Sequence, residues 1–386
     1  MLAAASIIPR SLHKGIQITR ALKSRKISFS ALPPHPPPLA NSVLDTIGNT
    51  PLVRLDRFCQ ALGLRNGSSG SNNHNSKPLI LAKLENTNPG MSKKDRIAHE
   101  IIRQAKAAGI LQEGQPVVEL TSGNTGTGLA MVCPLLGHPF CAVMSQGNSR
   151  ERAQMMRFLG AEVVLVPQAP GSAANQVSGE DLALVEETAQ KLCQDRQSFR
   201  IDQFVRKANA DAHYLGTARE ILEQVKDSPD VRIDGFVDFV GTGGSFAGCT
   251  KRFKEDCSHF VSCHIVEPEG ISPLARKYTN QSDSNRSSGS SKNHVIQGGG
   301  YDMPELTLLE EVIQKGYVDG FLQVDNQGAT DMARLLGKTE GIFGGFSAGA
   351  NLHAAVQLIQ SGQASQVVAL ICDSGSKYYS ADLLPS

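Results

Sequence analysis

The 386-residue chain has no tryptophan, and aromatic residues make up only 5% of it, a composition poorly suited to a β-sandwich. No apolar run approaches the roughly 18 to 20 residues needed to cross a bilayer, so a membrane-spanning helix is excluded. A surplus of basic charge is also missing. Lys plus Arg (38) nearly cancels Asp plus Glu (37), and without a basic stripe nucleic acid is not an expected partner. Eight cysteines, at 59, 133, 141, 193, 249, 257, 263 and 372, include no C-x-x-C pair and no Cys/His cluster at zinc spacing. They are expected to be idle or buried thiols, with no metal site. What is present, 40% hydrophobic residues and 37 glycines, suits a soluble α/β enzyme with many tight turns and two subdomains around a cleft.

The first 44 residues lack Asp and Glu altogether, while Arg10, Lys14, Arg20, Lys23, Arg25 and Lys26 punctuate a serine-containing stretch. The apolar run Leu2 to Ile8 precedes these charges, the reverse of a secretory signal, so residues 1–40 read as an organellar transit peptide followed by a Pro-rich linker (Pro33 to Pro38). The expected destination is mitochondrial, with a plastid as the alternative; a disordered tail on a cytoplasmic protein is the competing reading. Without the six cations the remainder has 32 basic against 37 acidic residues, net −5.

Beyond the leader, apolar runs read as buried strands at Leu79 to Leu84, Val117 to Leu120, Phe140 to Met144, Glu162 to Pro167, Phe236 to Val240, Cys263 to Glu267 and Val367 to Cys372. Helical periodicity predicts helices over 95–109, 125–136, 150–159, 180–195, 212–226, 245–256, 328–339 and 347–361. This alternation predicts parallel sheets covered on both faces. Two polar stretches, Arg65 to Lys77 and Gln281 to Asn293, read as mobile surface loops.

Three segments carry chemistry. Phe236 to Val240, then Gly241-Thr-Gly-Gly-Ser245, then a helix, offers backbone N–H groups and two hydroxyls to a phosphate at a helix N-terminus; a tight turn without ligand is the alternative. It is not a dinucleotide fingerprint, since the third glycine would fall at Phe246, and Gly337-Lys-Thr339 is not a P-loop, since Met332 replaces its first glycine. Thr121-Ser-Gly-Asn-Thr-Gly126 follows a strand and opens a helix, an arrangement that can hold a carboxylate or simply cap that helix. Ser92-Lys-Lys-Asp-Arg96 puts two lysines where the helix dipole disfavours cations. A lysine there could form a Schiff base with an aldehyde cofactor; a solvated charge pair is the alternative.

These pieces, in this order, resemble the β-family of pyridoxal-phosphate enzymes: cysteine synthase (O-acetylserine sulfhydrylase), cystathionine β-synthase, serine racemase and threonine synthase. The resemblance spans Asn41 to Ser386. It includes Ile47 to Arg54, Asn88 to Arg96, Thr121 to Gly126, Gln203-Phe204, Gly241 to Ser245, Gly344 to Asn351 and Cys372 to Ser380. It implies the type II fold of this cofactor class, similar to tryptophan synthase β: two three-layer αβα subdomains with the cofactor in their cleft. The smaller, mobile subdomain would cover about 86–205 and the larger about 41–85 plus 206–386.

By the S-x-K-D-R pattern the resemblance makes Lys94 the Schiff-base lysine and catalytic base, and leaves Lys93 where the family usually has an apolar residue. Gly241, Thr242, Gly243, Gly244 and Ser245 would hold the phosphate of pyridoxal 5'-phosphate, Asn124 the ring hydroxyl, and Ser347 would face the ring nitrogen. Thr121, Ser122, Gly123, Asn124, Thr125 and Gln203 would clasp the substrate carboxylate. The implied reaction is β-replacement, L-cysteine from O-acetylserine and sulfide through an α-aminoacrylate intermediate. Cystathionine β-synthase, β-cyanoalanine synthase, serine or cysteine lyase activity, or a silent cofactor-binding regulatory homologue are the alternatives. Around His294 to Tyr301 the chain departs from the Gly-Ile-Gly pattern common in cysteine synthases, in the region of the acceptor. Implied partners are a small amino-acid substrate, a thiol nucleophile, a second copy in a homodimer and serine acetyltransferase.

Overall fold

A computed structural model of the chain describes residues 39–64, 77–148, 150–172, 177, 179–279, 294–300, 303, 305–379, 381 and 383–384. The transit-peptide and linker reading, for all but residues 39 and 40, and most of the two polar stretches fall outside the described residues.

Among the described residues ten strands form two sheets. The first has the order β1 (Leu52–Arg54), β2 (Leu79–Lys83), β10 (Gln366–Leu370), β7 (Gly235–Phe239), β8 (Ser262–Pro268), β9 (Gly320–Val324). The second has the order β5 (Glu162–Val166), β4 (Phe140–Ser145), β3 (Val117–Leu120), β6 (Phe199–Arg200). The helices are α1 (Asp56–Ala61), α2 (Lys94–Ala107), α3 (Asn124–Leu135), α4 (Arg150–Phe158), α5 (Gly179–Asp195), α6 (Ala208–Ala212), α7 (Arg219–Val225), α8 (Gly244–Asp256), α9 (Pro273–Thr279), α10 (Glu310–Gln314), α11 (Asn326–Glu340) and α12 (Phe346–Gln360).

The central strands of both sheets are buried on both faces, which the period of two along them makes visible, while the edge strands β1, β5 and β9 are partly exposed. In the larger sheet Ile80, Ala82, Val367 and Ala369 pack with α11 and α12, whereas their neighbours Leu79, Leu81, Val368 and Leu370 pack with Phe246 and Phe253 of α8. In the smaller one Val117, Phe140 and Ala142 meet α2, α3 and α4, while Val118, Cys141 and Val143 meet Val185 and Ala189 of α5. This is the three-layer αβα arrangement, twice over.

The smaller sheet is wholly parallel, as the alternation predicts. The larger carries one antiparallel edge strand, β1 against β2, which sequence alone does not show, nor does it show β6 or β9. The helix predicted over 212–226 is present, begins earlier at Ala208 and carries a π-helical turn, running as α6, the turn over His213–Ala218, and α7. All eight cysteines are free thiols, six of them buried and Cys193 and Cys257 partly exposed. No helix among the described residues is long and apolar enough to cross a membrane.

Candidate active site

Helices α3, α8 and α12 each begin after a glycine (Gly123, Gly243, Gly345), which has no side chain to cap the first-turn N–H groups. Three sets of donors are thereby left for a ligand. Gly243 adopts φ +83°, a left-handed conformation that turns the chain from β7 into α8 and that glycine takes without penalty.

The segment Cys372–Tyr378 ties these ends together. Asp373 bridges to Ser92 and Ser374 to Gly344; the Gly345 N–H donates to the Asp373 carbonyl, and the Lys93 N–H to that of Cys372. The Asn124 amide donates to Asp373 Oδ2 at 2.7 Å while its Oδ1 accepts from Lys377 Nζ at 2.7 Å. Thr125 Oγ1 donates to Gln203 Oε1 at 2.7 Å, and Asn209 Nδ2 reaches both the Gln203 carbonyl and Thr242 Oγ1. The Thr121–Gly126 loop, Gln203 and the Gly241–Ser245 loop are thus one connected group. Thr121 is buried at the end of β3, and the Ser122 carbonyl accepts from Arg152 at 3.3 Å. Gly241 presses against the Gly298 carbonyl, where a Cβ would sit 2.3 Å away. Ser347, in the first turn of α12, is buried beside the Cys372 thiol.

The adjacent lysines diverge. Lys93 Nζ is buried 2.8 Å from Asp238 Oδ1 and 2.8 Å from Ser245 Oγ. Burial opposes its charge, but the Asp238 carboxylate and Cys372 outweigh burial and hold it above the ordinary lysine range. Lys94 Nζ, by contrast, has no hydrogen-bond acceptor among the described residues. Burial, then the Lys93 charge, pushes it down to about 8, so a neutral, nucleophilic amine is available near neutrality. Just before them Met91 holds φ +61°, a strained conformation for a long side chain. Gly90 donates its N–H to Asp95 Oδ2 at 2.6 Å, so close that a Cβ there would meet Asp95 Oδ1 at 2.4 Å.

The Ser245 hydroxyl is committed to Asp238 and Lys93, so what Ser245 offers an anion is its backbone N–H. Sequence reasoning passed over Asp238, Arg152 and Asn209, and gave no role to Asp373, Lys377 and Tyr378 although they lie in the Cys372 to Ser380 motif. For Asp238 a signal existed, an acid in the middle of the apolar run Phe236 to Val240 that a buried strand must pair with a cation. The donor set fits pyridoxal phosphate: an unengaged amine at Lys94, uncapped first-turn amides at α8 with Thr242, an amide at Asn124 and a neutral hydroxyl at Ser347.

Comparison with known proteins agrees. The family model for pyridoxal-phosphate dependent enzymes matches residues 43–373. The chain is 33% identical over 347 residues to the O-ureido-L-serine synthase of Streptomyces lavendulae, covering 90% of this chain and 93% of that protein. It is 32% identical over 344 residues to a cysteine synthase of Staphylococcus aureus, covering 89% and 96%. The crystal structure of a hydrogen sulfide-producing enzyme from Fusobacterium nucleatum superposes with a TM-score of 0.69 at 33% identity, over 88% of this chain and 98% of that one. The chain belongs to the pyridoxal-phosphate-dependent enzyme family and has its type II fold.

Proposed function

We propose that the chain catalyses β-replacement on an O-activated L-serine, making L-cysteine from O-acetyl-L-serine and sulfide. The observation that carries the reading is the unengaged Lys94 amine beside three uncapped helix N-termini, with its neighbour Lys93 locked away. When bound, pyridoxal phosphate supplies the carbonyl that captures the substrate amine and the conjugated ring that accepts electrons from Cα. Lys94 would hold the cofactor, and its free amine would take the Cα proton and later return it. The first turn of α8 with Thr242 binds the phosphate, Asn124 the ring hydroxyl, and Thr121 to Thr125 with Gln203 the substrate carboxylate. A neutral hydroxyl at Ser347, in place of a carboxylate, favours departure of the β-substituent over long-lived charge at Cα.

A second reading is favoured by the relative named O-ureido-L-serine synthase: an O-substituted serine in place of cysteine, made with a nucleophile other than sulfide. Holoenzyme incubated with O-acetyl-L-serine and, in separate reactions, sulfide, cyanide or homocysteine, with products identified by mass spectrometry, decides the acceptor. Sulfide is expected to give the highest kcat/KM. Absence of any O-acetyl-L-serine consumption, with unchanged visible absorbance, defeats the proposal. The same reading extends to a homodimer, to serine acetyltransferase as a partner, and to residues 1 to about 40 as a mitochondrial leader. A reporter fused to residues 1–44 that stays cytosolic would reject the leader.

A further inference from the structure

The proposed chemistry gives Lys93 no role although it adjoins Lys94, and its surroundings are built for its charge. Its Nζ lies 2.8 and 3.1 Å from the two oxygens of Asp238 and 2.8 Å from Ser245 Oγ. Ser245 Oγ in turn donates to Asp238 Oδ2 at 2.5 Å. Asp238 has no solvent exposure and is the penultimate residue of β7, the strand that runs into the glycine loop. Asn351 Nδ2 of α12 reaches its Oδ1 at 3.4 Å. A closed, buried cluster therefore joins the segment that carries Lys94, the strand before the loop and the loop's last residue.

We propose that Lys93 is a positioning residue of this active site: clamped by Asp238 and Ser245, it fixes the Gly241–Ser245 loop to the segment bearing Lys94 and sets a permanent positive charge beside the Lys94 nitrogen. The proposal rests on Lys94 being the cofactor's attachment point. An apolar residue at 93 could fill the same space but could neither orient the Ser245 hydroxyl nor act electrostatically on its neighbour.

The groups around Lys94 come from four elements: Lys93 from its own segment, Asp238 from β7, Cys372 from the chain after β10, and His213 from the π-helical turn. Burial pushes the Cys372 thiol up to about 11. Burial, then Lys93, Arg96 and Lys94, hold His213 well below the ordinary histidine range. Both are uncharged near neutrality, so Lys93 and Asp238 set the local field. Lys93 opposes a proton on Lys94 more strongly than Asp238 favours it.

The test compares holoenzymes of the parent, Lys93→Arg, Lys93→Met and Lys93→Met/Asp238→Leu. Three quantities are read: the pH midpoint of the bound cofactor's visible absorbance, which reports the proton on the Lys94 nitrogen; cofactor retained after dialysis; and thermal melting. The double variant leaves no buried charge alone, so it is expected to melt near the parent. Its absorbance midpoint should nevertheless rise, by less than the roughly one pH unit of losing a neighbouring cation alone because the opposing Asp238 carboxylate goes with it, and it should lose cofactor that the parent retains. Lys93→Arg should restore the midpoint. A double variant matching the parent in both midpoint and retention makes the pair mere core packing and overturns this proposal alone. Borohydride reduction and peptide mapping separate the two assignments: label on Lys94 sustains the proposed function, whereas label on Lys93 overturns that assignment and this proposal together.

Discussion

The Asn124 amide and Asp373, 249 residues apart in sequence, are joined by a 2.7 Å hydrogen bond, and Tyr378 donates its hydroxyl to the same Asp373 oxygen at 2.5 Å. With Lys377 on the other side of the amide, its orientation is fixed: nitrogen toward the carboxylate, oxygen toward the cation. Asp373→Ala is expected to free this amide and strand the buried Tyr378 hydroxyl. Turnover should fall on the order of 100-fold, as loss of reactant positioning does, with the circular dichroism spectrum retained. Parental turnover in this variant would show that Asn124 needs no support.

Lys94→Ala is expected to abolish turnover and covalent cofactor capture while Lys93→Ala still forms the covalent bond, as read by borohydride reduction and peptide mapping in the presence of excess cofactor. The pH dependence has a defined sign. The base must be neutral, and Lys94 is pushed down to about 8 by burial and then by Lys93. Below that pH, any step limited by the free amine should slow by about tenfold per unit, and above it the rate should level. In cofactor-free protein the unfolded chain binds this proton more tightly than the folded one. The contribution of Lys94 to stability therefore rises with pH from about 8 to its ordinary value and is lost as pH falls through about 8. A rate that declines from pH 6 to 8 would contradict the assignment.

The long strands and helices were legible because each is a sustained apolar pattern: Val117 to Leu120 and Val367 to Leu370 need no context to read as buried strands. The short elements were not. β6 has two residues and β1 three, and their existence depends on partners elsewhere in the chain. The π-helical turn within helix 212–226 belongs to tertiary structure too. Gly216 in the π-helical turn lies against Arg96, where a Cβ would be 3.0 Å from Nη1. In the site, the Ser92–Arg96 stretch, the loop holding Asn124 and Gly241 to Ser245 could be picked out because each opens a helix after a strand or glycine turn, whereas Ser347 and the choice of Lys94 over Lys93 rested on the family resemblance. Asp238, Asp373 and Lys377 could not, since each acquires meaning only through a residue more than a hundred positions away.

Arg96 is the keystone of a buried charge group that holds α2 in place. Its guanidinium meets Glu85 at 2.7 Å and Glu220 at 2.6 Å, while Lys83, fully buried, meets Glu220 at 2.7 Å. Two cations balance two carboxylates, and Thr50 and Gln224 accept further hydrogen bonds from them. Arg96→Met leaves one carboxylate without a counter-charge, and the expected cost is about 3 to 5 kcal/mol of unfolding free energy, measured by urea denaturation. A loss below about 1 kcal/mol, the range of exposed pairs, would mean that the group is solvated in solution.

Ser347 offers the sharpest test of how the site handles charge. It is buried in the first turn of α12 beside the Cys372 thiol, with Asp238 already paired to Lys93 nearby through Asn351 and Cys372. Ser347→Asp keeps a compact side chain at a helix N-terminus, where the dipole tolerates an anion, so the fold should survive. If position 347 faces the ring nitrogen, the new carboxylate holds a proton there and makes the ring a stronger electron acceptor, which prolongs negative charge at Cα and opens racemisation and transamination. Productive replacement should fall on the order of 100-fold, the scale of altering one preorganised partner at a reacting centre. Ser347→Ala, which removes the hydrogen bond without adding charge, should lose less and give no such side products. Rapid-mixing absorbance with O-acetyl-L-serine, together with chiral analysis of the products, provides the measurement. Parental rates and a single enantiomer from Ser347→Asp would place Ser347 away from the ring nitrogen and remove the charge argument.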